Sequence, residues 1–392
     1  MNFKKLITLL LLTGCFNANA QLQLTTESEI SILTIGPGAS LNDAFGHNAI
    51  RITDPVYKFD IVFDYGRYDF ETENFYLNFA QGKLDYQISQ SKYKTFLNYY
   101  QYNNRSVKEQ VLNLSTKQKT DFYNLLKENI KPENKNYLYD FFYNNCATKI
   151  KDDIENILDY QVVYTPSPTF KQFTFRNLIR SDLNENSWGS FGIDIALGSK
   201  IDQIASVEEH MFLPKYLHQL LENARLKTDD SRLVTASKTL NPSDAIIENN
   251  FFNSPLFVLG ILALIMLLIT YKDYKSKTRS KWLDIGLFAI TGGIGIVLLL
   301  LWFATDHQTT AYNYNLLWAF ALNILFIPSL CKSTHNNRGL SYLKFLVLLL
   351  CLMGLHWVTG VQSFAIGLIP LLIATGVRYL FLIHHFNKAI RV

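Results

Sequence analysis

The chain has 392 residues and a formal net charge of +4, its 37 Lys and Arg nearly balanced by 33 Asp and Glu. That balance excludes the strongly basic surface on which nucleic-acid binding depends, and the length allows one sizeable domain plus a second element. Polarity is uneven. Up to about residue 250 the sequence is Asn- and Lys-rich with many Tyr and Phe; beyond it, long apolar runs alternate with short polar loops. The two halves suit different solvents.

The opening "MNFKKLITLLLLTGCFNANAQ" puts Lys4 and Lys5 before an apolar run too short to span a bilayer, then small residues, the layout of a secretory signal. Ala18-Asn19-Ala20 before Gln21 fits ordinary cleavage and a signal peptide over 1–20, whereas "LTGC" ending at Cys15 fits a lipoprotein box, and an uncleaved anchor is a third route. Cleavage is favoured because later segments already anchor the chain. An exported domain is expected over 21–245.

Its first part, "ISILTIGPGASLNDAFGHNAIRITDPVYKFDIVFDYGRYDF", reads as a strand, a Gly-Pro-Gly loop, a second strand opening at His47, a turn at Asp54-Pro55 and a third strand ending near Gly66. In "HNAIRI" the alternation turns His47 away from Ile50 and Ile52. Pairing through the turn brings the stretch from Asp60 to Asp64 across from His47, so either carboxylate is a candidate to orient the imidazole. A slip of one residue reverses these faces.

A mostly helical insertion follows, with a helix start at Ser115 or Thr116. Within it Arg105 is a candidate for a phosphate or carboxylate. "YLYDFFYNNCATKIKDDIENILDY" then carries Ile150, Ile154, Ile157 and Leu158 at the spacing of an amphipathic helix, with Asn144 or Asn145 as N-cap. Cys146 thus lies in the first turn, where unpaired N–H groups and the positive dipole end favour thiolate and offer donors to an oxyanion. Asp194 and Asp202 suit caps and turns. His210 and His218 fall on "VEEHMFLPKYLHQLL", read as a surface amphipathic helix.

From Pro255 onwards five apolar segments, 255–270, 282–303, 315–331, 343–358 and 364–383, have membrane character against the ~20 residues of a spanning helix. The loops "YKDYKSKTRSK" and "KSTHNNRG" and the tail "HHFNKAIRV" are basic, while "ATDHQTTAYN" has no Lys or Arg. The positive-inside rule therefore places the exported domain and the "ATDHQTTAYN" loop on the outer side. In that loop Asp306, His307, Asn313 and Asn315 are candidates to grip a lipid head group or a lipoprotein N-terminus; anchoring by Trp302, Tyr312 and Tyr314 is the simpler alternative. Of four cysteines, Cys15 belongs to the leader and Cys331 and Cys351 to the membrane region, so Cys146 has no disulfide partner. A helix-start thiol and a strand histidine form the dyad used in thiol acyl transfer. No metal-ligand spacing, phosphate loop or Gly-x-Ser-x-Gly elbow is present, and no cofactor or metal is expected.

Together "GPGASLNDAFGHNAIRI", "FDYGRYDF", "YLYDFFYNNCATKIKDDIE", "GIDIALG", "EEHMFLP" and "DHQTTAYNYNLLW" resemble the Bacteroidetes family of Lnb lipoprotein N-acyltransferases, over nearly the whole chain. The resemblance implies a permuted papain-like fold of the NlpC and lecithin:retinol acyltransferase type, an α+β periplasmic domain followed by an all-α membrane domain over 246–392. It also implies transfer of a fatty acyl chain, with Cys146 as nucleophile and His47 as base, to the α-amine of a diacylated lipoprotein at the inner membrane; a domain tethered to the bilayer suits a phospholipid donor and a Cys146 thioester, and the lipoprotein's own diacylglyceryl group is the other source of the chain. The third polar residue stays open between Asp60 and Asp64; Asn145, Arg105, His307 and Asn315 are candidate substrate contacts. Two other classes fit a Cys-His dyad outside the cell: an NlpC-type cell-wall peptidase or amidase, and a non-enzymatic binding module with an inert thiol. Neither explains five spans.

Overall fold

The computed structural model describes residues 22–243, 251–332 and 337–391. The leader, with Cys15 and Ala18-Asn19-Ala20, and the boundary near residue 246 lie outside the described residues. The N-terminal half is built on a seven-stranded antiparallel sheet. Its strands are β1 (Glu29–Ile35), β2 (His47–Asp54), β3 (Phe59–Arg67), β4 (Asp85–Lys92), β5 (Val107–Leu112), β6 (Asn136–Leu138) and, last in the sheet, β9 (Val234–Asn241). Their order is β6-β4-β3-β2-β1-β5-β9, and a separate ribbon pairs β7 (Val162–Val163) with β8 (Arg225–Leu226).

Why the sheet is central follows from β1, "EISILTI", which is β-branched and buried from its second residue to its last. Side-chain alternation sends Ile30 and Ile32 to one face, with Ile50, Ile52 and Phe63 beside them, and Leu33 and Ile35 to the other, with Ala49 and Val62. Each of these residues is at most 1% exposed, and each large one contributes about 1.5–3 kcal/mol of burial.

Helices cover both faces. Preceding β4 is α1 (Phe75–Gln81), and following it α2 (Tyr93–Tyr102) lays Phe96 and Tyr100 on the Leu33 face. The isoleucine face is covered by α3 (Thr116–Asn129), α4 (Cys146–Ile157) and, further along, α7 (Pro214–Glu222). The start of α3 is the expected one: Ser115 and Gln118 form a reciprocal capping box. Between α4 and α7 lie α5 (Phe175–Arg180) and α6 (Trp188–Ala196). The expected single helix through His210 and His218 is instead a 3-10 turn, Glu208–Phe212, and then α7, because Pro214 opens a new helix. His210 is fully buried, not superficial: Nδ1 meets the Ser206 carbonyl at 2.7 Å and Nε2 accepts from the Phe173 N–H at 3.2 Å.

The C-terminal half is helical. Four helices are long and apolar enough to cross a membrane among the described residues. They are α8 (Pro255–Ser276), α9 (Lys281–Phe303), α11 (Asn337–Thr359) and α12 (Ile369–Arg391). The segment expected as a span over 315–331 runs along α9, from Thr310 on the Leu301 carbonyl to the Cys331 carbonyl at Lys281 Nζ, but it is interrupted: a 3-10 turn, Tyr314–Leu317, leads to the nine-residue α10 (Asn323–Cys331), which contains Pro328. Irregular backbone at this depth must be buried in protein. It is, since Gly292 and Gly295 of α9 leave room: a Cβ at Gly295 would stand 2.2 Å from the Ala319 carbonyl oxygen. Asn323 is satisfied there by the Thr291 hydroxyl, to which it donates at 2.8 Å, and by the Tyr342 hydroxyl, from which it accepts at 2.7 Å.

Candidate active site

Three elements converge on Cys146: α4 supplies the thiol, β2 supplies His47 as its first residue, and β3 supplies Asp64. Asn145 sets the start of α4. Its Oδ1 accepts from the N–H groups of Ala147 at 2.8 Å and Thr148 at 3.0 Å, while its own N–H donates to the Thr148 hydroxyl at 2.8 Å. Its Nδ2 donates to the carbonyls of Phe141 and Phe212 at 2.7 and 2.8 Å. The whole carboxamide is thus spent on capping, and Cys146 is left as the first helical residue.

On the sheet side Gly46 turns the chain into β2 with φ 78, a left-handed conformation, and a Cβ there would stand 2.6 Å from the Ile35 carbonyl oxygen. His47 follows at the sheet end. Its Nε2 is buried, 3.6 Å from Asp64 Oδ2, and the ring and the Cys146 thiol are close enough for each to bias the protonation of the other. Asp64 is 2% exposed and held on both oxygens: Arg67 Nε donates to Oδ2 at 2.9 Å and the Ser89 hydroxyl donates to Oδ1. The β-bulge between Asp64 and Arg67 contains Gly66, where a Cβ would come within 3.8 Å of Cys146 Cβ and 3.9 Å of His47 Cε1. Glycine keeps the space before the dyad open.

The electrostatics follow from this packing. Burial pushes the Cys146 thiol up, but the charge and hydrogen bond of His47 and the Asn48 N–H outweigh it and hold the thiol below its ordinary range. Burial pushes the His47 imidazole down; Tyr100, Cys146 and Asp64 overturn that and hold the ring well above its usual value. Asp64, which burial alone would raise, is kept at about 2 by His47 and Arg67. The packing therefore favours thiolate and imidazolium over the neutral pair, a nucleophile beside an acid.

The other predicted residues lie elsewhere. Asp60 opposes Thr53 four residues along β3, about 13 Å from Asp64, and pairs with Arg51 through Nε at 2.8 Å and a terminal nitrogen at 2.7 Å. Arg105 is buried and braces the Gly36-Pro37-Gly38 loop, donating to the Gly36 carbonyl and to Asp43 at 2.9 and 2.8 Å. Each is held in an ion pair away from the thiol, and the Arg105 guanidinium also lies 5.1 Å over the Tyr100 ring. Arg67, Ser89 and Gly66 escaped assignment in the sequence, although Gly66 and Arg67 stand in "FDYGRYDF"; only the bulge reveals what they do.

A family model of the Lnb N-terminal periplasmic domain matches residues 17–180, which hold His47, Asp64 and Cys146, and one of the Lnb transmembrane domain matches residues 246–389. The chain belongs to the Lnb family. No curated protein and no solved structure gives a match. Lnb proteins are lipoprotein N-acyltransferases, so this chain is an acyltransferase acting on lipoproteins, multi-pass in the inner membrane with its α+β domain in the periplasm.

In this Lnb chain the two halves are bound together on the outer side. Asn315 Nδ2 donates to the Asp194 carbonyl at 2.9 Å, Asn313 Nδ2 to the Ile195 carbonyl at 2.8 Å, and the Gly198 N–H to the Thr309 carbonyl at 2.9 Å. Arg176, 1% exposed, pairs with Asp194 and Asp202, and Asp202 also accepts from the Ser363 N–H at 3.1 Å. Asn315 is therefore a buried docking residue rather than a substrate contact. His307 likewise turns to protein, its Nε2 3.0 Å from the Phe79 carbonyl oxygen of α1. The periplasmic half is thereby fixed against the outer ends of the apolar helices.

Proposed function

We propose that Cys146 is the nucleophile, His47 the general acid and base, and Asp64 the residue that orients His47, in a two-step transfer from phospholipid to the lipoprotein α-amine. The observation that carries this is the Cys146, His47 and Asp64 line, with Nε2 of the imidazole 3.6 Å from a carboxylate held on both oxygens. In the first step the Cys146 thiolate attacks an ester carbonyl of the donor. The carbonyl C–O bond breaks, the leaving alkoxide takes the proton of His47, and an acyl-thioester and a lysophospholipid result. In the second step the free α-amine of the diacylated lipoprotein attacks the thioester, His47 accepts the amine proton, and sulfur leaves as thiolate with an amide formed.

Ala147 and Thr148 have their N–H groups on Asn145 Oδ1, so the developing oxyanion falls to the Cys146 N–H at the helix end. Docking against the membrane half favours a lipid donor over a wall peptide, because it holds the thiol at the bilayer, where lipid esters are concentrated. The test is expression of the wild type and Cys146→Ala in a host without lipoprotein N-acylation, followed by mass spectrometry of one reporter lipopeptide. A third acyl chain with the wild type alone supports the assignment; a chain with both proteins removes Cys146 from the chemistry.

A further inference from the structure

Helix α1 is seven residues long, and only Phe75 of it is buried. Tyr76 is 79% exposed, Leu77 55% and Phe79 56%, and Phe70 just before the helix is 59% exposed. Three large apolar groups on so short an element and a fourth just before it form a patch that water disfavours. Its place is fixed by the membrane half. The Asp306 N–H donates to the Gln81 carbonyl at 2.9 Å, His307 Nε2 meets the Phe79 carbonyl, and Gly82, with φ 72, lets the chain pass so close that a Cβ would stand 3.2 Å from the His307 nitrogen. Asp306 and His307 follow directly on α9, whose last residue is Phe303. The patch therefore lies where the second span leaves the bilayer.

From this patch a run of aromatic rings leads back to the thiol. Phe70 and Phe75 are 4.9 Å apart, and Tyr68 lies 4.9 Å from Phe70 and 5.9 Å from Phe75. Tyr68 meets Tyr86 at 5.1 Å, and Tyr86 stacks on Tyr139 at 4.0 Å. Tyr139 is followed by Asp140, whose N–H and carbonyl exchange hydrogen bonds with Asn144 at 3.2 and 3.0 Å, two residues before Cys146, so the run ends beside the start of α4. We infer that α1 and its preceding loop dip into the outer leaflet of the membrane, and that the aromatic run from Phe70 to Tyr139 is the surface along which a phospholipid acyl chain is brought to Cys146. An interfacial helix needs an apolar face and aromatic side chains at the boundary, and both are present here.

The inference rests on the assignment of Cys146 as nucleophile, and the experiment separates the two. Full-length protein in phosphatidylethanolamine vesicles is compared with a Tyr76→Ser, Leu77→Ser, Phe79→Ser variant in two assays. One is Cys146 acyl-thioester formation from the vesicle lipid; the other is the acylation burst with p-nitrophenyl butyrate, a donor soluble in water. The expected result is at least about a tenfold loss with vesicle lipid and an unchanged burst with the soluble ester. Equal activity of variant and wild type on vesicles overturns the role of α1 while leaving the dyad intact. A wild type that gives no burst overturns the dyad and this inference with it, and a variant that loses both activities does not support a lipid-specific role and counts against it. Placing p-benzoylphenylalanine at position 77 gives an independent readout: a photo-adduct with the mass of a phospholipid is expected, and one with a second copy or another polypeptide overturns the inference.

Discussion

Asp64 Oδ2 lies 3.6 Å from His47 Nε2, while Asp60, on the same face of the same strand, is bound to Arg51. One carboxylate lies beside the imidazole and the other does not, which gives a matched pair of controls. Asp64→Asn should lower kcat by about 10²-fold with little change in KM, since it orients the base without meeting substrate. It should also move the alkaline limb of the pH profile to lower pH, because Asp64, after Tyr100 and Cys146, is one of the groups that raise His47. Asp60→Asn should leave the pH profile alone. Equal effects of the two substitutions on the profile would remove Asp64 from the site.

The thiol itself offers a test without substrate. The thiolate is lost as pH falls through the depressed Cys146 value, and the imidazolium is lost as pH rises through the raised His47 value, so the reactive pair exists between the two. Iodoacetamide should alkylate Cys146 with a midpoint below the ~8.5 of a free cysteine, and His47→Gln should move that midpoint up. A thiol silent until the protein unfolds would return Cys146 to the role of a buried small side chain.

Much of this site was legible because its carriers obey local rules. Asn145 before Cys146 signals a helix start, and the apolar spacing through Ile150 and Ile154 gives the face that α4 buries. His47 opens a strand whose alternation is plain. The choice between Asp60 and Asp64 was not legible, since both have the same parity and only the register, Ile50 opposite Phe63, decides between them. The third apolar segment was legible as a span from its hydropathy, but its broken form was not, since Asn313, Asn315 and Asn323 find buried partners in other elements, which no local pattern discloses.

Asn145 tests how closely reactivity depends on the cap. Asn145→Ala removes the acceptor of two N–H groups and leaves the Phe141 and Phe212 carbonyls without their donor. The expected cost is about 1–3 kcal/mol, read as a lower midpoint in thermal or denaturant unfolding. Asn145→Asp restores the acceptor but not the donor, and should recover part of that loss. Because the cap also sets where the thiol points, the alanine variant should lose kcat under conditions where it is fully folded.

The dock between the halves predicts a separation of chemistry from substrate supply. At Gly198 a Cβ would stand 1.9 Å from the Ala311 carbonyl oxygen and 3.0 Å from the Asn313 backbone nitrogen, so even alanine cannot be accommodated unless the outer loop moves away from the periplasmic domain. The dyad is built on β2, β3 and α4, none of which includes Gly198. Gly198→Ala should therefore leave the alkylation rate of Cys146 unchanged while transfer from a lipid in the bilayer falls by about tenfold or more, since the thiol is no longer held at one height over the membrane. Cleavage of the 304–313 loop by added protease should rise in parallel. A variant with full lipid-dependent activity would mean that the dock serves stability alone, and a variant that loses thiol reactivity as well would mean that the dock reaches the site through the fold rather than through the membrane.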